Sequence, residues 1–76
     1  MNRLRRKQLE NIMESLEEIR NDLELIRDEE EEYLSNMPEN LQGSERYEKA
    51  DEAVDSLEEA LSSIEEALSG IEEAMA

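Results

Sequence analysis

Carboxylates are the only abundant side chains in this sequence that could take part in chemistry. Twenty-three of the 76 residues are Asp or Glu and eight are Lys or Arg, which gives a formal net charge of −15. The sequence has no His and no Cys, so it lacks the imidazole and thiolate groups that act as nucleophiles, general bases and zinc ligands. Di-metal sites in helical bundles use a Glu-x-x-His motif, which is therefore also absent.

The densest run of acids, Asp28–Glu32, falls within a predicted helix and lacks the glycine turn of a calcium-binding EF-hand loop. The sequence has no glycine-rich phosphate loop, and no acid is expected in an apolar pocket. We therefore expect no catalytic residue, no cofactor and no metal site, and a protein that is not an enzyme. The two Tyr are the only aromatic residues, and the negative charge repels a phosphate backbone, so we expect no direct binding to nucleic acid.

The apolar residues recur every three or four positions, which predicts two helices with the heptad pattern of a coiled coil. Between them, Pro38 and Gly43 disfavour helix and Ser44 is a good N-cap. We expect one domain over 1–76, with helix 1 at about 3–35, a loop at 36–43 and helix 2 at about 44–75. The predicted a and d positions of helix 1 are Leu9, Ile12, Leu16, Ile19, Leu23, Ile26, Glu30, Tyr33 and Met37. Those of helix 2 are Tyr47, Ala50, Val54, Leu57, Leu61, Ile64, Leu68, Ile71 and Met75.

The predicted fold is an all-α, antiparallel two-helix coiled-coil hairpin, with two copies forming a four-helix bundle. Folding the chain back about residue 40 pairs each a position with a d position of the other helix. The same register places basic e positions of helix 1 opposite acids of helix 2, and such exposed pairs select a register more than they add stability, at about 0.2–1 kcal/mol each. The expected ion pairs are Arg6–Glu72, Arg20–Glu58 and Arg27–Asp51.

Two charged features of helix 1 have alternative interpretations. Glu30 occupies a core position, either as a charge beside Ala50 that reaches Lys49 or Arg46, or as a polar residue that fixes the register. The basic segment Arg3–Lys7 is expected to pair with the acidic end of helix 2; the alternative is that it binds an external anion.

Small residues follow one edge of helix 2 and would let another helix approach closely. An isolated hairpin with a single apolar seam is weak, so we expect a homodimer that associates through this edge. The alternative is that alanine serves there only as a good helix former on a solvated edge. The predicted dimer face consists of Ala53, Ser56, Ala60, Ser63, Ala67, Gly70 and Ala74.

After Lys49, helix 2 contains nine acids and no base. Such a surface would attract a basic protein surface and imitate the charge of a nucleic-acid backbone; the alternative is that the acids only keep the helix solvated. A spacer helix would normally mix Lys among its Glu, which favours the first interpretation. The predicted acidic interaction ridge consists of Glu52, Asp55, Glu58, Glu59, Glu65, Glu66, Glu72 and Glu73.

The most specific sequence features surround the loop. Residues 29–33 read Glu-Glu-Glu-Glu-Tyr, residues 36–46 read Asn-Met-Pro-Glu-Asn-Leu-Gln-Gly-Ser-Glu-Arg, and residues 5–9 read Arg-Arg-Lys-Gln-Leu. With these segments and its Glu-Glu-Ala repeats, the chain resembles small uncharacterised acidic helical-hairpin proteins of bacteriophages and gut-bacterial prophages. The resemblance implies a small phage-encoded interaction protein in the cytoplasm of a bacterial host, and it assigns no site residues.

Three functional hypotheses follow from these features. The first is a protein-binding inhibitor whose acidic ridge occupies a basic, nucleic-acid-binding surface of a host protein, such as a defence nuclease or a CRISPR effector. The second is a structural coiled-coil adaptor that uses the small-residue edge, or Leu25 and Leu34. The third, a designed bundle, is disfavoured by the irregular loop, the Met residues and the scarcity of Lys.

No apolar run approaches the length of a membrane span, so we expect a cytoplasmic protein without a membrane partner.

Overall fold

Two long α-helices that pack against each other make up the protein, as described by a computed structural model that covers residues 1–76. Helix α1 spans Arg3–Ser35, a single 3-10 turn spans Glu39–Leu41, and helix α2 spans Glu45–Met75. The molecule is a rod of 59 × 15 × 13 Å. The predicted all-α hairpin is confirmed, and α2 begins one residue later than expected because Ser44 lies at its N-cap.

Side-chain caps define the start of each helix. The Asn2 side chain accepts a hydrogen bond of 2.8 Å from the backbone N–H of Arg5, and Ser44 Oγ accepts one of 3.2 Å from the backbone N–H of Tyr47. Each cap satisfies a backbone donor that the first turn of a helix leaves without a partner. In the loop, Gly43 has a φ of +92°, a left-handed conformation that disfavours residues with a Cβ.

The core between the helices is thin. Five residues are buried, of which α2 contributes four, and no side chain is fully buried. Helix α1 contributes no buried residue, and the fifth one, Met37, comes from the loop and covers the end of the seam. The buried residues are Met37, Ala50, Val54, Leu61 and Leu68. The a positions of α2 therefore dominate the core, as the heptads predicted for that helix.

The d positions of α1 were expected in the core, and this prediction is wrong. Ile12, Ile19, Ile26 and Tyr33 are 48%, 49%, 51% and 46% exposed. In their place the e positions of α1 from Met13 onwards join the a positions at the interface and are half-buried, whereas the first e residue, Arg6, is exposed. These half-buried residues are Leu9, Met13, Leu16, Arg20, Leu23, Arg27, Glu30 and Leu34. Relative to the orientation that the heptads predicted, helix α1 is thus rotated about its own axis by roughly one row of side chains.

The composition of the e row gives the reason for this roll. Met13 and Leu34 are apolar, and the aliphatic stems of Arg20 and Arg27 can cover apolar surface while their charged ends stay in water. On α2, the small g residue Ala60 is half-buried as well, which lets α1 lie closer to that side. The e row therefore competes with a d row of β-branched residues, and in the hairpin it occupies the seam.

The three expected ion pairs between the helices do not form, and this prediction is also wrong. Every ion pair within 4.0 Å joins residues of the same helix. Because the e arginines of α1 lie in the interface while the e acids of α2 are exposed, the two rows no longer face each other. The observed pairs are Lys7–Glu10 (3.9 Å), Arg27–Asp28 (3.0 Å) and Lys49–Glu45 (3.2 Å).

Candidate functional site

The acidic ridge lies along the side of α2 that faces away from α1. All eight of its predicted members are exposed, and none takes part in an ion pair. They occupy the e, b and f positions, which are neighbouring rows on a helix surface, and the f-position acids repeat about every 10.5 Å. The ridge consists of Glu52, Asp55, Glu58, Glu59, Glu65, Glu66, Glu72 and Glu73, and Asp51 extends it by one e position.

The density of charge along this ridge is close to that of one nucleic-acid strand. From Asp51 to Glu73 the helix axis is about 33 Å long at 1.5 Å per residue. Nine acids occupy this length, so the mean axial spacing between charges is about 4.1 Å, against about 3.4 Å for one strand of duplex DNA. The last base before the ridge is Lys49, and it is already paired with Glu45 at 3.2 Å. The ridge charge is therefore not neutralised by the rest of the chain.

Two shallow grooves cross the ridge, and neither has an apolar wall. One is lined by Asp55, Glu58, Glu59, Ser62 and Ser63, and the other by Ser62, Glu65, Glu66, Ser69, Gly70 and Glu73. The Ser63 hydroxyl donates to the backbone carbonyl of Glu59 at 3.1 Å. No three carboxylates converge closely enough to hold a metal ion. The surface is thus arranged for long-range electrostatic attraction rather than for enclosing a small ligand.

The electrostatic environment of Arg27 connects the two helices. Its Nε donates a hydrogen bond of 3.1 Å to Asp28. That bond is the main reason why the pKa of Arg27 is raised; desolvation acts in the opposite direction, and the charges of Asp28, Glu31 and Glu58 add to the increase. Glu58 of α2, rather than the expected Asp51, is therefore the acid of the other helix whose field reaches Arg27.

Near the loop, Glu30 lies in an open groove between the helix ends. The groove is lined by Glu30, Tyr33, Glu45, Arg46, Lys49 and Ala50. Glu30 thus lies beside Ala50, as the first interpretation of this residue expected, but it forms no ion pair with Arg46 or Lys49 within 4.0 Å.

The small-residue edge of α2 is divided by the packing of the hairpin. Ala53 and Ala60 are half-buried against α1, whereas the other five members are exposed. A Cβ added at Gly70 would meet no atom within 4 Å, so packing within the chain does not require a glycine there. The exposed members are Ser56, Ser63, Ala67, Gly70 and Ala74.

The surface that the heptad assignment missed is the exposed apolar row of α1. Ile12, Ile19, Ile26 and Tyr33 are each about half exposed, and Leu25 beside them is 60% exposed. The sequence feature that could have predicted this exposure is the e row of α1. Its apolar residues, together with the a row, form a second apolar face that can pack against α2, and the d row then has no partner.

The basic start of α1 has no ionic partner on α2. Arg3, Arg5 and Arg6 are exposed and in no ion pair, and Lys7 is 3.9 Å from Glu10 of its own helix. The expected pairing of this segment with the acidic end of α2 is therefore not formed.

Comparison of the chain with protein-family models, with curated proteins and with solved structures gives no match. Neither helix contains a stretch that is long and apolar enough to cross a membrane.

Proposed function

We propose that the protein is a non-enzymatic interaction module whose acidic ridge occupies a basic, nucleic-acid-binding surface of another protein. The observation that carries the proposal is the ridge itself, because nine exposed acids form no ion pair and have a mean axial spacing close to the charge spacing of a nucleic-acid strand. A surface of one sign raises association rates with a surface of the opposite sign and excludes partners of its own sign.

In the phage context that the sequence resemblance implies, the target would be a host protein that binds DNA or RNA in the bacterial cytoplasm. A defence nuclease or a CRISPR effector has such a surface. The hairpin would then act as an inhibitor that mimics DNA, since it would compete for the groove without itself binding nucleic acid.

Charge reversal on the ridge tests this proposal. The ridge variant changes Glu59, Glu66 and Glu73 to Lys, and the control variant changes Glu14, Glu17 and Glu18 of α1 to Lys. The control residues are exposed as well. Each change adds two positive charges, so both variants have a net charge of −9 instead of −15. A difference between them therefore reports the position of the charge and not its total.

The assay begins with capture of partners from a bacterial host lysate at low and high salt, identified by mass spectrometry. The captured protein is then purified, and its binding to labelled DNA or RNA is measured by fluorescence anisotropy with increasing hairpin. Wild type and the control variant are expected to displace the nucleic acid at low salt and to lose this effect at high salt. Displacement by the ridge variant that equals that of wild type would refute the proposal.

A structural adaptor is the second candidate function, and the exposed apolar row of α1 favours it. An adaptor would bind its partner through apolar or small-residue surfaces, so bulky substitutions at the exposed Ala67 and Ala74 would abolish binding while the ridge variant would bind normally. We also propose that the hairpin is a homodimer that forms a four-helix bundle. The support is its thin core, because five buried residues are few for a chain of 76.

A further inference from the structure

Helix α1 carries an apolar strip that the rest of the chain leaves about half exposed. Its d positions, from Arg5 through Ile12, Ile19 and Ile26 to Tyr33, repeat every seven residues, and the three isoleucines are each about half exposed. From Ile12 to Tyr33 the strip is about 31 Å long. We call Ile12, Ile19, Ile26 and Tyr33 the d strip of α1. A strip of this regularity is typical of a helix that packs against another helix.

We propose that the d strip is the surface through which two copies of this chain associate, with α1 antiparallel to α1 of the second copy about a twofold axis at Ile19. This inference rests on the proposed homodimer and assigns its interface to α1 rather than to the small-residue edge of α2.

The spacing of the strip supports a second copy as its occupant. Ile12 and Ile26 are both seven residues from Ile19. An antiparallel twofold arrangement therefore places Ile12 against Ile26 of the second copy and Ile19 against its own equivalent. A twofold interface needs this self-complementarity, because the same patch serves both partners.

The charges at the two ends of α1 support the antiparallel direction. The segment Arg3–Lys7 contains four bases, and the segment Asp28–Glu32 contains five acids. In the register centred on Ile19, Arg5 lies at Tyr33 of the second copy, and the acids of that copy's Asp28–Glu32 surround it. A parallel arrangement would instead bring bases against bases and acids against acids.

The interaction of the terminal charges with the helix dipole of α1 also favours the antiparallel arrangement. The first turn of α1 contains no acid and its last turn contains no base, although acids at the start and bases at the end are the stabilising arrangement. An antiparallel second α1 brings acids to the basic start of the first helix and bases to its acidic end. The unfavourable terminal charges of α1 would thereby be compensated between copies, whereas within one copy they form no ion pair with α2.

Single-cysteine cross-linking tests the location of the interface, because the chain has no Cys of its own. The variants are Ile19→Cys on the d strip, Asn21→Cys on the exposed outer side of α1, and Ser63→Cys on the small-residue edge. With a short bis-maleimide linker, Ile19→Cys is expected to give a linked dimer and the other two only background. Cross-linking of Ser63→Cys in place of Ile19→Cys would overturn the inference while leaving the homodimer intact.

Sedimentation equilibrium tests the energetics of the same contact. Wild type is expected at twice the chain mass of 8.8 kDa. Ile19→Glu should weaken association by at least about tenfold, since two charges would meet at the axis, and Asn21→Glu should not. Circular dichroism verifies that both variants remain helical. A wild type that is monomeric throughout the micromolar range, or an Ile19→Glu variant that dimerises as wild type does, would overturn the proposal.

A charge exchange tests whether the two α1 helices are antiparallel. Arg5→Glu should weaken the dimer, and adding Glu29→Arg in the same chain should restore it, because Glu29 lies one helical turn from Tyr33, the position that Arg5 meets in the antiparallel copy. Failure of this rescue would overturn the antiparallel register. The ridge variant serves as the independent control, since it should dimerise normally whatever its effect on nucleic-acid competition.

Discussion

Raising the salt concentration should stabilise this hairpin. The perturbation is an increase of sodium chloride from low ionic strength, near 0.01 M, to about 0.5 M, where charges more than a few ångströms apart are largely screened. The direction of the effect is informative because ion pairs between the helices would produce the opposite result. No such pair forms within 4.0 Å, and the surface of α2 carries charges of predominantly one sign.

The magnitude follows from like-charged neighbours on α2. Between Glu45 and Glu59, seven pairs of acids are separated by three or four residues, and each such pair destabilises a helix by about 0.2–0.5 kcal/mol. Screening most of this repulsion should raise the free energy of unfolding by about 1–3 kcal/mol. For a chain of this size, each kcal/mol corresponds to about 4–8 °C in Tm.

The assay is urea denaturation followed by circular dichroism at 222 nm, because guanidinium chloride would itself add salt. Ile19→Glu serves as a parallel sample in which dimer formation is weakened, so that screening between copies does not obscure screening within the hairpin. A free energy of unfolding that falls as salt is raised would refute the reasoning. It would show that attraction between the helices, as in the expected Arg20–Glu58 pair, dominates the electrostatics.

Three further predictions concern individual side chains, each measured as the change in the free energy of unfolding in urea. Because Leu61 is only 6% exposed, Leu61→Ala should lower the free energy of unfolding by about 2–5 kcal/mol. Ile12→Ala, measured in the Ile19→Glu background, should lower it by only about 1 kcal/mol, since half of the Ile12 side chain is already in water. Equal losses for the two variants would contradict the placement of Leu61 inside the seam and of Ile12 outside it. Ser44→Ala should lower the free energy of unfolding by about 1 kcal/mol through loss of the N-cap, whereas Ser44→Asp should keep it near the wild-type value. Equal stability of wild type and both variants would contradict the capping role of Ser44. Gly70→Ala should stabilise the protein by about 0.5–1 kcal/mol, because the added Cβ meets no atom within 4 Å and Ala favours helix. Gly43→Ala should destabilise the protein, because Gly43 has a positive φ. Destabilisation by Gly70→Ala would instead indicate a close helix contact at the small-residue edge.

Much of the hairpin was predictable because several local signals agree. The heptads define two apolar faces, Pro38 and Gly43 interrupt the helices, and Ser44 lies where a cap is needed. Consistency of this kind between propensity, periodicity and turn chemistry is what makes a fold readable from sequence. The exposure of the acidic ridge was likewise predictable, since its residues lie opposite the apolar face of α2.

The rotation of α1 was not predictable from the heptads alone. Its a row can be completed either by the d row, with Ile12 and Ile19, or by the e row, with Met13 and Leu34. Both choices bury apolar surface, and the long arginine side chains reduce the cost of the second. The choice between rows depends on how closely the small side chains of α2 let α1 approach, which is a property of the packed pair and not of either helix.

The same rotation accounts for the ion pairs that were wrongly expected. Placing e against e requires both helices to contact each other through a and d, so the Arg20–Glu58 and Arg27–Asp51 pairs depended on that geometry. Once α1 is rolled, the arginines enter the seam and the acids of α2 remain exposed. The unpaired charge of the ridge is thereby larger than the sequence suggested.

The proposed function depends on the position of the ridge charge and not on the total charge. The most direct measurement is the displacement of labelled nucleic acid from the captured basic protein by wild type, by the ridge variant and by the α1 control variant of equal net charge. The account predicts that the control variant displaces nucleic acid as wild type does and that the ridge variant does not. Equal behaviour of the two variants, whether both displace or neither does, would contradict it.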